Sequence, residues 1–61
     1  MLDYVKSILS KVSFDKKLFE KELVKAIALL VENELRSFKE WCYKNFSNNH
    51  ADILSKHLVH I

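Results

Sequence analysis

Neither glycine nor proline occurs anywhere in the chain. Tight hairpins need residues that accept positive φ, and no Asn-Gly, Asp-Gly or Pro-Gly step is present to supply them. This argues against a β-rich fold, whose strands would have little to turn on. Cysteine is nearly absent as well: Cys42 stands alone, so no internal disulfide can form. No CxxC, CxxH or HExxH spacing offers a structural zinc site, and without glycine there is no Gly-rich phosphate loop. The longest apolar run, Ala26 to Val31, is far too short to span a membrane. The opening MLDYVKSIL has neither the basic start nor the apolar centre of a signal peptide, and a reduced cysteine suits the cytoplasm.

What is present is a set of strong helix formers, chiefly Leu, Lys, Glu and Ala. The fold class is therefore all-α, in one domain covering residues 1–61. Apolar residues make up 49% of these 61 positions, a high share for a chain that buries only roughly 60% of its unfolded surface. With disulfides and zinc set aside, self-association is the remaining way to stabilise so small a core. The expectation is a small helical bundle completed by dimerisation. Net charge is +2 with the signs interspersed, an ordinary surface rather than the concentrated basic face of a dedicated nucleic-acid binder.

Apolar spacing predicts a short first helix over residues 2–12, with Met1, Tyr4, Val5, Ile8 and Val12 on one stripe and Leu9 at its edge. Asp15 is the best N-cap for the next helix, and it would set Phe14 against Phe19 as a hydrophobic staple. Phe19, Leu23, Ala26, Ile27 and Leu30 then share one face. Downstream, Val31, Leu35, Phe38, Cys42 and Phe46 share another, rotated by about 100° on a continuous helix. That rotation allows a kink near Asn33. Against a break, Glu32, Arg36, Glu40 and Lys44 step by four with alternating sign. Val24, Ala28, Val31, Leu35, Phe38 and Cys42 also step by four and three like a heptad seam, within one helix of roughly thirty residues. The continuous reading returns Trp41 to the stripe of Leu23. SNNH ends this helix, and Asn49, with Asp52 at N3, caps a C-terminal helix carrying Ile53, Leu54, Leu58 and Ile61.

The candidate chemistry is sparse. His50, His57 and His60 lie close enough along the last helix to bind a metal weakly, but no mixed ligand set accompanies them, so no metal site is assigned. Cys42 sits mid-seam beside Glu40, which would raise rather than lower its pKa, so it reads as a buried hydrophobe and not a nucleophile. No catalytic order of Ser, His and Asp is recognisable, and no catalytic residue or cofactor is expected. Lys16, Lys17, Lys21 and Lys25 form a basic row that could meet phosphates, although Glu20 and Glu22 interrupt its flanks.

SFDKKLFEKEL followed by WCYKNF resembles short all-helical proteins of Bacteroidetes type that have no assigned activity. The resemblance implies no functional residue. The sequence thus predicts a short N-terminal helix, a long central helix and a returning C-terminal helix, forming a non-enzymatic cytoplasmic interaction or scaffold module. Two copies would pair through the central helices and meet a protein partner that the sequence leaves unidentified. Leu23, Leu30, Val31, Leu35, Phe38, Trp41, Cys42 and Phe46 are the expected interface. A small nucleic-acid-binding regulator using the four lysines is the alternative.

Overall fold

Residues 2–59 are described by a computed structural model of the chain. They form three helices: α1 over Leu2–Val12, α2 over Lys16–Leu29 and α3 over Glu32–Leu58. No strand occurs among the described residues, so the all-α expectation holds. Each helix touches the other two. Met1, His60 and Ile61, which the sequence places on the first stripe, among the histidines and on the last stripe, lie outside the described residues.

Asp15 caps α2 as expected. Its φ and ψ of −122° and 114° are extended, and its carboxylate accepts from the backbone N–H groups of Lys17 and Leu18 at 3.0 and 3.1 Å. The staple does not form: Phe19 is fully buried while Phe14 is 82% exposed. Phe14 leads into the turn, and the core takes Phe19 alone. The burial on α1 also differs from the predicted stripe. Val5 and Leu9 reach the core, with Leu2 and Val12 beside them, whereas Tyr4 is 59% exposed.

The long continuous central helix is not what the chain forms. Helical geometry stops at Leu30, where ψ is 145°, and restarts after Val31, where ψ is 169°. The two extended residues redirect the chain, and the 100° offset between the apolar stripes is the trace they leave in the sequence. The break falls two residues before Asn33. Valine has no side-chain acceptor to cap α3. Instead the Val31 N–H donates to the Glu34 carboxylate at 3.3 Å, the returning half of a capping box. Of the charge ladder, which starts at Glu32, the first residue of α3, the first pair is made: Arg36 to Glu32 measures 3.9 Å. Since the first position of a helix has no intrahelical N–H bond to lose, Glu32→Pro should change the urea midpoint little. In an unbroken helix the same change would cost about 3 kcal/mol.

The predicted stop at SNNH is a one-residue interruption: His50 has φ −131° and ψ 29°, and helical geometry resumes beyond it to Leu58. The returning C-terminal helix is therefore the far part of α3, and His50 rather than Asn49 is the residue out of helical geometry. The core gathers Val5 and Leu9 from α1, Phe19, Leu23 and Ala26 from α2, Leu30 from the break, and Phe38, Cys42, Phe46, Ile53, Leu54 and Leu58 from α3. The chain exposes 4151 Å², against about 4,100 Å² for a compact monomer of 7.2 kDa. One chain thus buries a core of the extent usual for its size.

Candidate functional site

Phe46 and His50 of α3 pack onto Phe19. The Phe19 ring stacks on the His50 imidazole at 4.1 Å between centroids and meets Phe46 edge-on at 4.9 Å. Trp41 is half-buried beside this group, 5.2 Å from Phe46 and 6.2 Å from Phe38, with the Lys6 ammonium 5.5 Å from its ring centroid. Consecutive residues Trp41, Cys42 and Tyr43 point about 100° apart on a helix, and all three pack on the core of one chain. Trp41 joins Phe38 and Phe46 rather than the stripe of Leu23.

The predicted interface residues divide accordingly. Leu23, Leu30, Phe38, Cys42 and Phe46 are buried inside a single chain, Leu35 and Trp41 are half-buried against the core, and Val31 is 59% exposed. Five of the eight therefore lack the accessible surface that a contact with another molecule requires. The cause is the break at Leu30, which folds the two stripes onto each other instead of leaving them side by side.

His50, His57, Glu20 and Asp52 have structural partners. His50 is 4% exposed; its Nε2–H donates to the Ser13 carbonyl at 2.8 Å and ties α3 to the α1–α2 turn, while Nδ1 is buried with no partner. His57 donates from Nε2 to Glu20 at 2.8 Å, and that hydrogen bond, with Lys56 nearby, holds the Glu20 carboxyl below its ordinary range. The Asp52 carboxyl is lowered chiefly by the hydrogen bond from Lys16 at 2.6 Å. Burial pushes the Cys42 thiol up to about 12, so it is a poor nucleophile. Among the described residues no three His, Cys, Asp or Glu side chains gather as metal ligands would.

Of the basic row, Lys16 pairs with Asp52 and Lys25 with Glu22, the latter at 3.6 Å. Lys17 and Lys21 have no ion pair among the described residues. Half of the row is thus partly neutralised, and no arginine accompanies it on α2.

A groove lined mostly by apolar side chains runs between α1 and α2. Tyr4, Val5 and Ile8 form one wall and Glu22, Lys25, Ala26 and Leu29 the other. Tyr4 is 59% and Leu29 53% exposed, with Ile8 half-buried between the helices. Leu18, which is 40% exposed, lies on the same row of α2 as Glu22, Lys25 and Leu29. The groove holds ≈ 180 Å³, less than the roughly 300–1,000 Å³ of small-molecule pockets. Its size suits protruding side chains of another protein better than a metabolite. Sequence reasoning misses this face because it follows the stripes that end up buried.

No protein-family model, curated protein or solved structure matches the chain, and none bears on the Bacteroidetes-type resemblance. No helix among the described residues is long and apolar enough to cross a membrane.

Proposed function

We propose that this protein is a small non-enzymatic interaction module, acting in the cytoplasm, whose docking face is the α1–α2 groove. The observation that carries this reading is the exposure of Tyr4 and Leu29 at the α1–α2 groove, with Ile8 half-buried beside them. Scattered apolar residues are ordinary on any surface, but a grouped set rimmed by charge is typical of a protein contact. The buried, poorly ionised Cys42 and the structurally engaged histidines support a non-enzymatic role. A reduced thiol supports the compartment.

The double substitution Tyr4→Glu, Leu29→Glu tests the face. Both side chains are exposed, so stability should move by no more than about 1 kcal/mol, as read by thermal melting. Association in sedimentation runs should be lost. If association survives with the fold intact, the docking face lies elsewhere on the molecule.

A further inference from the structure

We infer that the occupant of this face is a second copy of the chain, bound about a two-fold axis that crosses α2 between Leu23 and Val24. The inference rests on the docking face proposed above and names its partner. Along α2 one row reads Leu18, Glu22, Lys25, Leu29, with steps of four, three and four; its two leucines and Lys25 are exposed and Glu22 is half-buried. That spacing is the same from either end, and so is its chemical order: leucine outside, a charge inside, one charge of each sign. Lay an antiparallel copy of α2 against it and each Leu18 meets the other copy's Leu29. Each Glu22 then meets the other copy's Lys25. Alternating steps of three and four also keep one row of a helix facing its neighbour along a packed pair.

Exposure agrees with this pairing. Leu18 and Leu29 are 40% and 53% exposed, and the Lys25 side chain is 59% exposed with its ammonium 3.6 Å from Glu22 of its own chain. In the pair, the internal Glu22–Lys25 contacts of the two chains, one in each, are exchanged for two equivalent contacts between chains. Tyr4, in the α1 wall of the same groove as Leu29, is placed to cover the other copy's Leu18. An isologous contact needs one self-complementary patch, and a row of opposite charges between two leucines provides it. A foreign partner would place no demand for this symmetry on the row. The face is small, so association belongs in the micromolar range rather than the nanomolar.

Charge reversal tests the pairing directly, with mass measured by sedimentation and folding checked by circular dichroism. Glu22→Lys alone sets the introduced ammonium against the second copy's Lys25, once on each side of the axis. Lys25→Glu alone sets two acidic pairs face to face. Each single variant should dissociate about tenfold more readily than the parent. An equimolar mixture of the two should recover a heterodimer, and the double variant E22K/K25E should recover the homodimer. Recovery in both arms is the signature of this two-fold axis. Single variants that dimerise as well as the parent would overturn the inference, as would a mixture that stays monomeric. A parent chain that is monomeric at high micromolar concentration would overturn the second copy as occupant, leaving the groove open to another protein. Unchanged association in the Tyr4→Glu, Leu29→Glu variant would instead overturn the face itself.

Discussion

Replacing Phe19 by alanine is expected to leave most molecules unfolded at room temperature. Phe19 is fully buried and contacts both His50 and Phe46, so it joins α2 to α3 at the interruption marked by His50. Truncating a buried phenylalanine costs about 3–5 kcal/mol through lost transfer energy and the cavity left behind. A domain of this length has a total stability of only about 3–9 kcal/mol. The loss is thus comparable to everything available. Phe14→Ala is the natural control, because its ring is 82% exposed and its removal should change stability by no more than about 0.5 kcal/mol. Urea unfolding followed by far-ultraviolet circular dichroism reads both. Similar effects from the two substitutions would contradict the placement of Phe19 at the centre of the core.

Alkaline conditions should destabilise the protein through Cys42. The thiol is fully buried, and burial raises its pKa from 9.0 to about 12. In the unfolded chain the thiol loses its proton above about 9, while the folded chain keeps it until about 12. Between those values the unfolded state binds fewer protons, so stability falls as pH rises. Three pH units correspond to about 4 kcal/mol by the upper end of the window. Cys42→Ala begins lower at neutral pH because it opens a small cavity, but it has no thiol to ionise. Its stability should decline less steeply between about pH 9 and 12 than that of the parent. Parallel declines would show that Cys42 is not buried as described.

Much of the architecture is legible in the sequence because it depends on local rules. Asp15 announces the start of α2, the spacing of Phe38, Cys42 and Phe46 announces the buried face of α3, and the lack of glycine and proline announces an all-helical chain. The break at Leu30 and Val31 is harder to see. It carries none of the usual stop residues, and Val31 offers no capping oxygen, so its local marks are the carboxylate of Glu34 and the phase change between two stripes. The alternating charge ladder argues for continuity, yet a ladder starting at Glu32 is equally consistent with a helix that begins there. Trp41 falls on the stripe of Leu23 for the same reason: that placement requires a continuous helix through a residue pair that is extended.

The site is less legible than the fold. Periodicity identifies which residues are apolar on one side of a helix, but burial depends on how the helices turn against one another. Val31 therefore reads as a core residue although it is exposed, and nothing in the spacing sets Leu18 and Leu29 apart. The symmetric row of α2 is plain in the sequence once those leucines are known to face outward. Its significance comes from that exposure.

The central claim is that folding and pairing are separate events, the core belonging to one chain and the docking face to two. Serial dilution through the dimer-to-monomer transition tests it most directly, with sedimentation velocity and far-ultraviolet circular dichroism on the same samples. The predicted result is a fall in mass to that of one chain with helical signal unchanged. Loss of helical signal together with the fall in mass would contradict it, and would mean that two copies share the core after all.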